Sequence, residues 1–85
     1  MIGANAGASL TTGDYNTAVG ANALQNEDIG RGATAIGYNA LNKQDSNSSD
    51  EDSANVAVGE YAGYDITTGT NNTFIGAYAG DNAST

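Results

Sequence analysis

The residues best suited to chemistry in this chain are carboxylates that crowd into one polar stretch, residues 42–53. The acidic members of that stretch are Asp45, Asp50, Glu51 and Asp52. Together they could supply several oxygen ligands to one hard cation such as Ca²⁺. As an EF-hand loop the stretch fails, because Asp50 stands at the sixth position, which needs glycine, and Val56 at the twelfth, which needs an acid. The pattern therefore favours a solvated acidic loop, and we predict no cofactor and no metal site.

Tyrosines are the second set of side chains that could bind a ligand. The chain has five, at Tyr15, Tyr38, Tyr61, Tyr64 and Tyr78. Tyr38, Tyr61 and Tyr78 each follow a recurring glycine by one or two residues, so an exposed row of rings could stack on sugars or anchor a receptor. The same rings could instead fill gaps between associated chains, and we favour this structural role.

Most residue types that catalytic sites need are missing. The chain has no histidine and no cysteine, so it offers no base-activated nucleophile, thiolate metal site or disulfide. Only Arg31 and Lys43 are basic against a net charge of −8, which argues against nucleic-acid binding. No apolar run approaches membrane-spanning length. We therefore predict a protein that is not an enzyme and neither binds nucleic acid nor inserts into a membrane.

A repeated motif must position these side chains. Five times an Ile or Val precedes a marker glycine, and an alanine follows three residues after that glycine. The marker glycines, separated by 17, 17, 22 and 17 residues, are Gly3, Gly20, Gly37, Gly59 and Gly76. A fixed period in this range is typical of a solenoid, in which each repeat adds one rung to a stack. We therefore predict an all-β parallel β-solenoid, or β-roll, of about five 17-residue coils that forms a single module over residues 1–85.

The residues before each marker glycine alternate as they would in a short strand. An alanine column stands two residues before the glycine, and an Ile/Val column stands one residue before it. The Ile/Val column comprises Ile2, Val19, Ile36, Val58 and Ile75. Successive strand side chains point to opposite faces, so the two columns must lie on opposite sides of the sheet. We predict that the Ile/Val column forms the core and that each marker glycine permits a bend.

Two further expectations follow from the spacing and the composition. The 22-residue spacing contains a five-residue insertion, which we expect within residues 42–53 as an exposed and mobile loop. Leu, Ile, Val and Phe number only twelve, whereas ordering a chain costs about 1.5 kcal/mol per residue. We therefore expect the chain to complete its core with copies of itself, as a fragment or stackable unit of a longer fibre.

The units NTAVGANAL, ATAIGYNAL, NVAVGEYAG and NTFIGAYAG, with LTTGDYN and ITTGTNN between them, resemble known repeat arrays. They are similar to the repeats of bacteriophage tail fibres and to the β-roll head repeats of trimeric autotransporter adhesins. The resemblance implies a side-by-side homotrimer that acts as a fibre or stalk module of a tail fibre or similar virion appendage. Such a module would support host-surface attachment, together with other tail-fibre or virion proteins, on the virion or in the extracellular space.

Two other functions stay open at this point. One is a trimeric adhesin head that binds carbohydrate or another host surface through Tyr38, Tyr61, Tyr78 and the acidic loop. The other is a self-assembling extracellular filament whose subunits stack end to end through bare strand edges.

Overall fold

The computed structural model describes residues 1–11, 15–28, 30–45 and 53–80. Its four strands are β1 (Thr17–Val19), β2 (Thr34–Ile36), β3 (Val56–Val58) and β4 (Thr73–Ile75). They pair in parallel in chain order and form one sheet, to which Ile2 adds an isolated parallel bridge with Val19. The fold is all-β with a parallel sheet, as the sequence predicted, and it is compatible with a β-solenoid. Within the described ranges, no helix is long and apolar enough to cross a membrane.

The register of the sheet follows the sequence repeat. Ala35 of β2 pairs with Ala18 on one side and with Ala57 on the other, and Ala57 pairs in turn with Phe74. The pairing of β2 with β3 keeps this register across the 22-residue spacing, so the extra residues do not shift the ladder. Backbone hydrogen bonds also join the turns of successive repeats, as from the Leu24 N–H to the Ala40 carbonyl at 2.9 Å. Adjacent repeats are therefore held together by hydrogen bonds between their turns as well as between their three-residue strands.

The core lies on the alanine side of the sheet, and the predicted Ile/Val core is therefore wrong for the single chain. Ala18, Ala35 and Ala57 are buried and belong to the same cluster as Leu24 and Leu41, which follow the marker glycines by four residues. These leucines already fill the interior, so the inward strand position suits a small residue. The Ile/Val column lies on the outer side, where Val19 and Val58 are half-buried and three members are exposed: Ile2 (68%), Ile36 (38%) and Ile75 (72%).

Each marker glycine bends the chain, as the sequence predicted. Their φ angles lie between 120° and 134°, a region that side chains of L-amino acids rarely adopt. A Cβ atom added to Gly37 would lie 2.6 Å from the carbonyl oxygen of Gly59, so the marker glycines of adjacent repeats stack in close contact. Left-handed φ angles recur two and four residues later, at Asn39 (59°) and Leu41 (49°). The turn after each strand is therefore built from alternate left-handed residues.

The last two repeats differ from the two before them in the sizes of their interior residues. β4 carries Phe74 where the other strands carry alanine, and Gly63 and Gly80 stand where two earlier repeats carry Leu24 and Leu41. A Cβ added to Gly80 would overlap the Phe74 ring, and one added to Gly63 would lie 2.9 Å from it. The phenyl ring thus uses space that leucines use elsewhere. One ring thus occupies the space beside both glycines, in keeping with a close-packed core.

Candidate functional site

The structure brings four tyrosines together on one surface, which we call the tyrosine patch: Tyr38, Tyr61, Tyr64 and Tyr78. Tyr61 is central. Its ring centroid lies 5.2 Å from that of Tyr78 with the planes at 5°, 5.6 Å from Tyr38 at 81°, and 5.0 Å from Tyr64 at 52°. Tyr38 is 45% exposed and Tyr78 is 53% exposed. The three tyrosines that the sequence singled out therefore share one surface.

Left-handed turn residues position the centre of the tyrosine patch. Tyr61 and Tyr78 each stand two residues after a marker glycine, with φ angles of 59° and 62°. Other repeats place asparagine at this position with φ between 59° and 62°: Asn5, Asn22 and Asn39. The left-handed region costs a residue other than glycine roughly 1–2 kcal/mol, and asparagine tolerates it better than tyrosine does. Stacking of the two rings, at about 0.5–1.5 kcal/mol, offsets much of that difference.

Tyr64 joins the tyrosine patch although sequence reasoning did not include it. It stands five residues after Gly59 and three after Tyr61, and its N–H donates to the Tyr61 carbonyl at 3.1 Å. That turn brings the two rings to the same side of the chain. The only sequence signal was its spacing from Tyr61, which has meaning only once the turn is known.

Charged groups border the tyrosine patch. The Lys43 ammonium lies 5.0 Å from the Tyr64 ring centroid and 3.3 Å from a carboxylate oxygen of Asp65. Glu60, beside Tyr61 in the chain, is exposed, and its backbone carbonyl accepts a hydrogen bond from the Tyr78 N–H at 2.8 Å. The Lys43–Asp65 pair therefore borders the patch at Tyr64, and Glu60 adds an exposed acidic residue to the turn that carries Tyr61.

The neighbours of Tyr61 also change its acidity. A side-chain hydrogen bond with Asn39 lowers the pKa of Tyr61. Desolvation and the adjacent Tyr38 and Tyr78 act in the opposite direction, and together they raise this pKa above its usual range. The Tyr61 hydroxyl therefore remains protonated at neutral pH, and the centre of the tyrosine patch carries no charge of its own.

A buried polar network lies inside the fold, and the sequence did not predict it. Glu27 and Gln44 are fully buried, and the Gln44 amide nitrogen donates to Oε2 of Glu27 at 2.5 Å and to Oγ of Ser53 at 3.0 Å. The Gln44 amide oxygen accepts from the Asn55 amide at 2.7 Å. Each of these side chains thus has a hydrogen-bond partner within the network, as buried polar groups require. The available signal was their repeat position, seven residues after a marker glycine, where other repeats carry Leu10 and Ile66.

The buried polar network also holds both flanks of the insertion. Ser53 donates to the Arg31 carbonyl at 3.0 Å, and Asn55 donates to the Gly69 carbonyl at 2.7 Å. Asn42, Gln44 and Ser53 are all buried, so the ends of residues 42–53 are part of the core. The expectation that this whole stretch is exposed is therefore wrong at its flanks, because the polar side chains there bond one another. Residues 46–52 lie outside the described residues.

The calcium candidates are only partly covered by the structure. Asp50, Glu51 and Asp52 lie outside the described residues, and Asp45 lies within them at the edge of the insertion. In the part of the chain that the structure describes, no group of three or more acidic side chains could hold a metal ion. Desolvation, followed by the negative charges of Glu27 and Asp28, raises the pKa of Asp45 above its usual range. The ionised form of Asp45 is therefore unfavourable in the folded protein.

We expect Asp45→Asn to stabilise the protein at neutral pH. A raised folded-state pKa means that the folded protein binds this proton more tightly than the unfolded chain, so Asp45 disfavours folding increasingly as the pH rises through that pKa. Because the side chain is exposed, the gain should be small, a rise in Tm of about 1–2 °C. Thermal unfolding at pH 7 and pH 2.5 measures it, and the gain should vanish at the lower pH. Asp65→Asn, which removes the partner of Lys43, is the control and should not stabilise; equal gains at both pH values would contradict the prediction.

The outward-pointing side of the sheet is the second candidate surface, which we call the outer face. It presents two side chains from each strand: Thr17 and Val19, Thr34 and Ile36, Val56 and Val58, Thr73 and Ile75. All eight are exposed or half-buried. Parallel pairing aligns them in two columns with a spacing of about 4.8 Å between strands. One column is apolar throughout and the other is mostly threonine.

No pocket opens in the described part of the chain, so both candidate sites are surfaces. Comparison with protein-family models, with curated proteins and with solved structures finds no match for this chain. The outer face and the tyrosine patch are therefore the two candidate functional surfaces of this chain.

Proposed function

We propose that this protein is a structural β-solenoid module of about five 17-residue coils that associates as a homotrimer through the outer face. One observation carries the proposal: a parallel sheet leaves an aligned column of Ile and Val side chains exposed. Parallel sheets occur almost only with both faces covered. The alanine face is covered by the chain's own turns, and a second copy of the chain would bring an equally apolar Ile/Val column to cover the outer face.

Energetics support association through many repeats. Burying one Val or Ile side chain is worth roughly 1.5–3 kcal/mol, and the five-residue Ile/Val column supplies five such side chains per subunit. Association costs roughly 4–15 kcal/mol in lost rigid-body freedom. The total for one column, roughly 7.5–15 kcal/mol at full burial, is of the same order as this cost, and each added repeat contributes another side chain. A three-fold arrangement closes the contact, whereas the shortage of large apolar residues leaves a lone chain marginal.

A rod of this kind suits extension. Repeats contact only their neighbours, so the length grows by about 4.8 Å per rung while the cross-section stays constant. The net charge of −8 keeps such rods apart in solution. Together with the resemblance of the repeat units to phage tail-fibre arrays, this supports a fibre or stalk segment of a tail fibre or similar virion appendage. The segment would work beside other tail-fibre or virion proteins outside the cell and support host-surface attachment.

Size-exclusion chromatography with light scattering tests the proposal through Ile36→Asp. The native chain should give three times its 8.5 kDa mass. A carboxylate in the middle of the outer face should convert the trimer to monomers, because burying an unpaired charge is unfavourable. Circular dichroism should still show a folded sheet, since Ile36 points away from the core of the single chain, but with a lower Tm because the partners are lost.

Tyr15→Asp is the matched control for this experiment, because it places the same carboxylate on a residue that is 84% exposed and lies outside the outer face. It should leave the mass unchanged. A monomeric native chain, or an Ile36→Asp variant that stays trimeric, would refute the proposal. Open-ended species of increasing mass would instead favour the end-to-end filament.

A further inference from the structure

We propose that the tyrosine patch is a binding surface for cationic side chains, above all arginine, presented by a basic segment of a partner protein. The recognition elements are the exposed rings of Tyr38 and Tyr78, the central Tyr61, and the rim carboxylate of Glu60. This interaction is separate from the structural role, since it uses the turns after the marker glycines and not the outer face of the sheet.

The protein's own Lys43 shows that the tyrosine patch accommodates a cation. Its ammonium group lies 5.0 Å from the centroid of Tyr64 and 3.3 Å from the carboxylate of Asp65. An aromatic face is negatively polarised and attracts a cation within about 6 Å, and a nearby carboxylate adds to that attraction. One edge of the tyrosine patch thus already combines ring and acid around a positive charge.

The Glu60 edge of the tyrosine patch carries a second acidic residue, in the same turn as Tyr61. Glu60 is exposed and stands between Tyr38 and Tyr78 in the stack, bonded through its backbone to Tyr78 and preceding Tyr61 in the chain. A guanidinium group can stack on a tyrosine ring while its planar N–H groups donate to a carboxylate. Arginine therefore fits this edge better than lysine does.

Charge complementarity selects the class of partner. The chain carries ten acidic and two basic residues. Such a field attracts a basic segment and repels anionic ligands such as phosphates or sulfated sugars. Stacking of Tyr61 on Tyr78 at 5.2 Å turns one face of each ring toward the other, so the tyrosine patch lacks a continuous row of open faces for a neutral glycan. A cation needs only one open ring and one carboxylate.

Nuclear magnetic resonance titration of the full chain tests the inference. The probe is a capped pentapeptide with arginine at its second and fourth positions and glycine elsewhere, and the comparison peptide carries neutral citrulline in place of arginine. We expect tyrosine-ring resonances of the patch to shift, with binding of the arginine peptide at least about fivefold tighter than that of the citrulline peptide. The affinity should fall as salt is raised.

The repeat supplies variants that keep the backbone. Asparagine occupies the positions of Tyr61 and Tyr78 in three other repeats at the same φ, so Tyr61→Asn with Tyr78→Asn should fold and weaken binding about tenfold. Tyr15→Asn is the control, because Tyr15 has a φ of 63° and lies outside the tyrosine patch. Alanine stands at the equivalent of Glu60 at Ala4, Ala21 and Ala77, so Glu60→Ala should weaken binding about threefold and reduce its salt dependence.

Several outcomes would overturn the inference. Equal binding of the citrulline peptide would show that charge plays no role. Tyrosine resonances that do not shift at about 10 mM arginine peptide would show that there is no site, because even a dissociation constant of about that size would give a detectable shift. Binding of a neutral oligosaccharide such as cellopentaose, lost in the double tyrosine variant, would assign the tyrosine patch to glycans if the arginine peptide fails to bind. The solution mass of every variant is measured alongside, so loss of binding is distinguished from loss of assembly.

Discussion

Gly37→Ala should destabilise this protein severely, whereas Gly76→Ala, the same change at nearly the same φ angle, should cost much less. The two φ angles are 129° and 124°, so both variants carry the conformational cost of an L-residue in this region, about 1–2 kcal/mol. Only Gly37 adds a collision, because its new Cβ would lie 2.6 Å from the carbonyl oxygen of Gly59 and 2.7 Å from its carbonyl carbon. A Cβ added to Gly76 would have no described atom within 4 Å other than those of its own chain neighbours.

The collision at Gly37 has no inexpensive relief. Moving Gly59 away would stretch the hydrogen bond from its N–H to the Ile36 carbonyl, 2.8 Å long, which holds two adjacent repeats together. We expect Gly37→Ala to lose more than about 4 kcal/mol, a large share of the 5–15 kcal/mol that stabilises a typical domain. Urea unfolding followed by circular dichroism measures both variants. Equal losses at Gly37 and Gly76 would show that backbone strain alone explains the marker glycines, and that their stacking does not matter.

The marker glycines could be predicted from the sequence, but the side of the sheet that forms the core could not. Alternation along a strand assigns Ile36 and Ala35 to opposite faces without saying which face is inside. A preference for burying the larger side chain selects Ile36, and that choice is wrong because Leu24 and Leu41 reach the interior from the turns. Those leucines have left-handed φ angles that no propensity suggests for leucine. The interior is therefore filled largely from the turns, and β1, β2 and β3 contribute only methyl groups.

The candidate sites show the same limit. The similar repeat positions of Tyr38, Tyr61 and Tyr78 indicated a row of rings, and the structure places the three rings on one surface. Tyr64 needed the actual path of the turn. The buried pair Glu27 and Gln44 was hidden for a different reason, since a carboxylate and an amide in a polar stretch normally indicate surface. Glu27 and Gln44 share a repeat position with Leu10 and Ile66. Their burial can be inferred only once that position is known to point inward.

The two proposed surfaces use different parts of each repeat. The outer face comes from the strand residues before the marker glycine, and the tyrosine patch comes from the residues one to five positions after it. Assembly through the strands leaves the turns free to vary, because turn side chains such as Asn39 and Tyr61 share one backbone conformation. A repeat of this kind can change what it binds without changing how it stacks. The Tyr-for-Asn exchange between repeats is an instance of that freedom within a single chain.

Gln44→Leu should destabilise the protein by about 2–4 kcal/mol, and adding Glu27→Leu should recover at least half of the loss. The single change deprives the buried Glu27 carboxylate of its amide donor at 2.5 Å and removes the oxygen that accepts from Asn55. Loss of one partner from a buried charged or polar group is far more costly than replacement of both by apolar groups of similar size. The double variant creates such a replacement, in the column where Leu10 and Ile66 already pack on the core.

A double-mutant cycle on free energies of urea unfolding measures the coupling between Glu27 and Gln44. Glu27→Leu alone should also be destabilising, since it leaves the Gly30 N–H, 3.0 Å from Oε1 of Glu27, without that acceptor. If the two single losses simply add, the pair is not coupled, and the value of Gln44 lies in its bonds to Ser53 and Asn55 at the insertion. Recovery in the double variant would instead show that the network persists because its members satisfy one another. The inward column would then tolerate either two polar residues or two apolar ones, and a mixed pair would be the costly combination.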